Sequence, residues 1–85
     1  MDNTDIQSQV RGFITSNFYV SNPDALPAEA SLLEQGIIDS TGILEVIGFI
    51  ESTFGITVED AELLPENLDS IHRISAFVAR KRTPV

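Results

Sequence analysis

Between Ile38 and Gly55 the chain spells out one helix together with both of its ends. Asp39 suits the N-cap, because its carboxylate can take an orphan backbone N–H of the first turn. Ile38 and Ile43 can close a hydrophobic staple across that cap. Ile43, Leu44, Ile47, Ile50 and Phe54 then recur at helical spacing, with Glu45 and Glu51 outside the stripe. Gly55 supplies the residue at which such a helix stops. The predicted helix runs from about Ser40 to Phe54. Gly42 and Gly48 inside it each cost about 1 kcal/mol relative to Ala, and they leave two side-chain gaps.

The flanking segments supply its partners. Thr4 and Gln7 read as a capping box, followed by Ile6, Val10, Phe13, Ile14 and Phe18 at helical spacing. Asn17 and Asn22-Pro23 bracket the end of that helix. Residues 20 to 39 read as a long loop, pinned to the core by Leu26, Leu32, Leu33 and Ile37, with a helical turn within Ala28 to Glu34. Gly55 to Val58 is a short extended piece. Glu59 to Leu64 form a brief helix that Pro65 stops. A last helix begins near Asp69 or Ser70 and points Ile71, Ile74, Phe77 and Val78 inward. Arg80, Lys81 and Arg82 stand at its C-terminal end, where the helix dipole favours cations. The expected fold is all-α: a small antiparallel bundle of three main helices plus a short extra helix, with a long first loop.

At 85 residues the chain is expected to be one domain, 1–85, with an ordered core over residues 4–82, and a monomer. Charge narrows its partners. Thirteen acids face five bases, and between Gly12 and His72 there are eleven acids and no Lys or Arg. Nucleic acid, which requires a basic face, is excluded as a partner. Membrane insertion is excluded because no apolar run reaches spanning length. Proteins with basic docking patches are the natural partners, although the same acids also keep a small protein soluble. The chain has no cysteine, so no disulfide or thiolate metal site is open to it, and the acids lack metal-ligand spacing. The polar, acidic start is unlike a signal peptide, and the expected location is cytoplasmic.

Ser40 is the candidate for chemistry. It follows a glycine-containing loop and Asp39 and opens the apolar, acidic helix, at the positive end of a helix dipole where a covalently attached phosphate is favoured. On local grounds alone a helix-start serine is most often a cap. Ser70 shares its Asp-Ser setting but opens the helix that ends in three bases, and it reads as a cap. A hydrolytic triad does not fit: His72 is the single histidine, reads as a surface or half-buried side chain, and no nucleophile elbow is present. No catalytic residue is expected.

The run Leu33-Glu34-Gln35-Gly36-Ile37-Ile38-Asp39-Ser40, continuing to Glu45 and Phe54-Gly55-Ile56, resembles the acyl carrier protein family, which includes peptidyl and D-alanyl carriers. The resemblance spans nearly the whole layout. It implies that Ser40 receives a 4′-phosphopantetheine arm from coenzyme A through a separate phosphopantetheinyl transferase that uses Mg²⁺. Asp39 matches the family's aspartate, which helps place that metal and enzyme. Glu45 and Glu51 match acidic positions that meet partner enzymes, and Thr41 occupies a partner contact that is usually Leu or Met. Gly42 stands where fatty-acid carriers often have an acid. These departures, and the phrase Gly-Ile-Ile-Asp-Ser, resemble a stand-alone specialised carrier more than a housekeeping one.

The implied function is therefore a non-enzymatic acyl carrier. It would hold acyl thioesters on the arm at Ser40 for an acyl-loading ligase or synthase and for acyltransferases of fatty-acid, polyketide or specialised lipid biosynthesis. An aminoacyl, D-alanyl or peptidyl carrier served by an adenylating ligase is the alternative within the family. An unmodified acidic adaptor is the alternative outside it. Ile43, Ile47, Phe49, Ile50, Phe54, Ile71 and Phe77 read as core packing or, with the gaps at Gly42 and Gly48, as the lining of a cavity that shelters an acyl chain.

Overall fold

The computed structural model describes residues 3–18, 20 and 25–82. They form α1 (Asn3–Asn17), α2 (Ser40–Phe54), a 3-10 turn (Asp60–Glu62), the short α3 (Pro65–Leu68) and α4 (Ile71–Arg82). No strand occurs among the described residues. Three main helices, one short helix and a long first connection are thus what the chain makes. α1 packs chiefly on α4, α3 folds back onto α4, and α2 meets both α1 and α4.

The core follows the helical period of each segment. Ile6, Val10 and Ile14 of α1 are buried with Ile71, Ile74, Phe77 and Val78 of α4. Val46, Ile50 and Phe54 of α2 close the cluster, joined by Leu26, Leu32 and Ile38 from the long connection and by Leu68 of α3. Phe13 of α1 stacks on Phe49 of α2, with ring centroids 4.3 Å apart. This packing favours the core reading of the apolar residues: Ile50, Phe54, Ile71 and Phe77 are buried, and Ile43, Ile47 and Phe49 are half-buried against them.

Several boundaries differ from the sequence reading. α1 already includes Asn3, so Thr4 stands in its first turn and not at the cap. Asn22-Pro23 and the tail from Thr83 fall outside the described residues. Within Ala28 to Glu34 the chain makes isolated turns, one of them closed by the Gln35 N–H on the Ser31 carbonyl, and no continuous helix, and Ile56 to Val58 is loop with Ile56 buried. Pro65 starts α3 instead of stopping a helix, because a missing N–H costs nothing at the first helical position. Leu33 and Leu44 face solvent; Ile38 and Val46 take the core places expected of them.

The polar ties sit at element ends. The Glu62 carboxylate accepts from Lys81 Nζ and from the Glu59 N–H, both at 2.9 Å, and joins the 3-10 turn to the last turn of α4. The Lys81 hydrogen bond first, then that N–H, lower the Glu62 pKa below its ordinary value. The stabilisation that results is present above the unfolded carboxylate pKa and is lost as pH falls through the lowered folded value.

The two glycines inside α2 have opposite surroundings. Gly42 is buried, and a Cβ there would meet Phe18 Cε1 at 2.9 Å and Ile38 Cγ2 at 3.1 Å. The gap at Gly42 is therefore filled by the Phe18 ring. Gly48 is exposed, with nothing within 4 Å of a Cβ. Neither glycine opens a shelter between helices. Gly48→Ala is expected to stabilise by roughly 0.5–1 kcal/mol, the ordinary gain of replacing a helix-interior glycine. Gly42→Ala falls short of that gain, because Phe18 must move. Urea denaturation of the two variants checks the contrast.

Candidate functional site

The site is built where the long connection turns into α2. Residues 31–36 form a hydrogen-bonded turn: the Gln35 N–H donates to the Ser31 carbonyl at 3.0 Å and the Gly36 N–H to the Leu33 carbonyl at 3.1 Å. Gly36 ends it with φ of 72°, the left-handed conformation that glycine adopts without strain. The Ile37 N–H returns to the Leu32 carbonyl at 3.0 Å, which aims Ile38 into the core and delivers Asp39 to the helix start.

Asp39 is the N-cap. Its backbone is extended, and its Oδ1 accepts the Gly42 N–H at 2.8 Å. Gly55 closes the far end in the left-handed conformation, with its N–H on the Glu51 carbonyl. Because Asp39 does the capping, the hydroxyl of Ser40, the first residue of α2, is not needed for it, and Ser40 is exposed. Ser70 is the reverse. It is 1% exposed, and its Oγ accepts the Arg73 N–H at 3.0 Å as the cap of α4. Two Asp-Ser pairs that look alike in sequence thus separate in space: one serine caps, the other is presented.

Around Ser40 the structure gathers Asp39, Thr41 and Glu45, all exposed. It does not gather Glu51. At 1.5 Å per residue, Glu51 lies roughly 16 Å further along α2. It is half-buried, and its Oε2 accepts the Val58 N–H at 2.9 Å, fastening the loop that follows the helix. Glu51, expected from the family resemblance to meet partner enzymes, thus also holds the backbone that follows α2.

Two clefts border the first turn of α2. One is lined by Phe18, Gly36, Ile37, Asp39, Thr41, Gly42 and Glu45 and is mostly polar. The other, about 290 Å³, is lined by Ser40 itself with Leu33, Ile43, Leu44, Leu63, Leu64, Pro65 and Leu68. Leu44 is 62% exposed, and Leu33, Leu63 and Leu64 are also exposed. Sequence reasoning missed this apolar groove. One signal was readable: Leu44 lies four residues after Ser40, so both share one helix face. The walls from Leu33 and from Leu63 to Leu68 arrive only through tertiary folding. A further cleft, lined by Phe54, Ile56, Lys81 and Arg82 among others, lies at the other end of α2.

Chemically, the arrangement offers the exposed hydroxyls of Ser40 and its neighbour Thr41, a helix start with orphan N–H groups, flanking carboxylates and an apolar wall beside Ser40. The N–H groups and the dipole favour a phosphoryl group on Ser40. Apart from Ser40, the side chains lining the groove are apolar. His72 is exposed on α4, and its backbone N–H donates to the Ala28 carbonyl at 2.8 Å. Among the described residues no group of three acids or histidines is placed to hold a metal ion, and no helix is long and apolar enough to cross a membrane.

No family model matches the chain. It is 24% identical over 75 residues to the probable acyl carrier protein PigG of Serratia sp. (strain ATCC 39006), covering 88% of this chain and 86% of that one. It is 28% identical over 53 residues to the D-alanyl carrier protein of Abiotrophia defectiva, covering 62% of this chain and 67% of that one. At this low identity, both relatives support the carrier protein family.

Proposed function

We propose that this chain is a non-enzymatic acyl carrier protein whose Ser40 bears a 4′-phosphopantetheine arm. The observation that carries the reading is the exposed hydroxyl at the first position of α2, freed from capping by Asp39 and set on the rim of an apolar groove. In the loading step the Ser40 hydroxyl gives up its proton, its oxygen bonds to the β-phosphorus of coenzyme A, and 3′,5′-ADP leaves. A phosphopantetheinyl transferase supplies the catalysis and Mg²⁺. The arm, once attached, provides the thiol on which cargo rides as a thioester, a thiol that this cysteine-free chain lacks.

The chain's own residues hold and present. Asp39 fixes the helix start and adds a carboxylate for the transferase and its metal. Asp39, Thr41 and Glu45 form the partner face, and the net charge of −8 steers basic enzymes toward it. Glu51 contributes to that field while its carboxylate secures the following loop. The carrier acts in the cytosol as a monomer, as one domain spanning residues 1–85, and serves an acyl-loading ligase or synthase and acyltransferases.

The groove supports an apolar acyl cargo of the fatty-acid, polyketide or specialised lipid kind. Its lining has Ser40 as the one polar side chain, and nothing there would pair the ammonium of an aminoacyl group. The similarity to a D-alanyl carrier keeps an aminoacyl or D-alanyl cargo as the second reading. Intact mass after incubation with coenzyme A and a promiscuous transferase tests the carrier: one arm per chain is expected, and an unchanged mass leaves only the acidic adaptor. A panel of adenylating ligases with fatty acids and amino acids then tests the cargo. Exclusive charging with an amino acid would reject the apolar reading.

A further inference from the structure

We propose that Asp69 is a positioning residue for loading at Ser40, holding the approach to α2 against the α3–α4 junction. The inference rests on the proposed role of Ser40. Asp69 lies between α3 and α4, and its carboxylate reaches back across the molecule: Oδ2 accepts the Ser31 hydroxyl at 2.5 Å and Oδ1 the Leu33 N–H at 2.9 Å. Its carbonyl accepts the Leu32 N–H at 2.7 Å. The Ser31 hydroxyl oxygen in turn accepts the Glu34 N–H at 3.1 Å. One residue thus binds three consecutive residues of the connection, from more than thirty-five positions away for each side-chain bond.

Those residues set where Ser40 stands. The Leu32 carbonyl holds the N–H groups of Ile37 at 3.0 Å and Ile38 at 3.3 Å, and the chain then enters the Asp39 cap. Leu33, whose N–H is held in the clamp, and Leu68, just before Asp69, both line the groove beside Ser40. A chain without this tie still has its helices and most of its core. It loses a fixed path from Leu32 to Ser40, and with it the single orientation in which the hydroxyl meets an enzyme.

A role limited to stability is separable, because the adjacent Ser70 spends its hydroxyl oxygen on the Arg73 N–H as the cap of α4, whereas the Asp69 carboxylate binds Ser31 and Leu33. The test follows loading of the full chain by a transferase, with carrier concentration varied, for the natural chain and for Asp69→Ala, Asp69→Asn and Ser70→Ala. Amide exchange at Leu32, Leu33, Ile37 and Ile38 is measured in parallel. Asp69→Ala is expected to unfold cooperatively, to exchange faster at those four amides and to lose roughly ten-fold or more in kcat/KM, as small misplacements of a reacting group do. Asp69→Asn, which retains one acceptor oxygen, is expected between it and the natural chain. Ser70→Ala is expected to melt earlier yet load normally. Equal loss of loading in Asp69→Ala and Ser70→Ala overturns the proposal, as does unchanged exchange at the four amides. If Asp69→Ala does not fold, natural loading and exchange in Asp69→Asn overturn it. A natural chain that takes no arm rejects the carrier reading instead, and the exchange data still decide whether Asp69 holds the loop.

Discussion

Ser40→Ala is expected to abolish attachment of the arm while leaving the fold intact. The loss is complete because the variant removes the nucleophilic oxygen, and no cysteine can substitute for it. The fold survives because Ser40 is exposed and the capping bond belongs to Asp39. Exchange of an exposed first-turn serine for alanine falls within about ±0.5 kcal/mol. Ser70→Ala is the informative partner. It removes a buried cap hydroxyl, so it should cost about 0.5–2 kcal/mol and keep full loading. Intact mass and urea denaturation on both variants read the two effects separately. Loading that persists without the Ser40 hydroxyl, or vanishes without that of Ser70, assigns the arm to the wrong residue.

The contrast between the two serines also marks what a sequence can reveal. Asp39, Gly55 and Ser70 were legible because caps are local: each depends on a few neighbouring residues and on backbone groups left over at a helix end. The inward face of α2 was harder. Ile43, Leu44, Val46, Ile47, Phe49 and Ile50 cover most of its circumference, so period alone admits more than one stripe. The choice of Val46 over Leu44 was made by α1 and α4, which no local pattern contains. Pro65 could end one helix or begin another, and the pattern before it favoured the wrong option. The groove beside Ser40 and the Asp69 clamp were invisible for the same reason, since each joins segments distant in the chain.

Phe77→Ala is expected to have the largest effect on the fold itself. Phe77 is 1% exposed on the face of α4 within the main cluster. Removing its ring costs about 3–5 kcal/mol, from lost transfer energy and from the cavity left behind. A chain of this length holds only roughly 4–13 kcal/mol in all, so a large part of the molecule's stability goes with one side chain. Leu44→Ala removes a side chain of the same chemical kind from a site 62% exposed, and should change stability by less than about 0.5 kcal/mol. Its effect belongs to the groove: charging with an apolar acyl group and its transfer onward should weaken, while arm attachment at Ser40 persists. Urea denaturation with intact-mass assays separates the two. A Leu44→Ala variant that unfolds as readily as Phe77→Ala would mean that Leu44 is core after all, and that the wall beside Ser40 is not open to cargo.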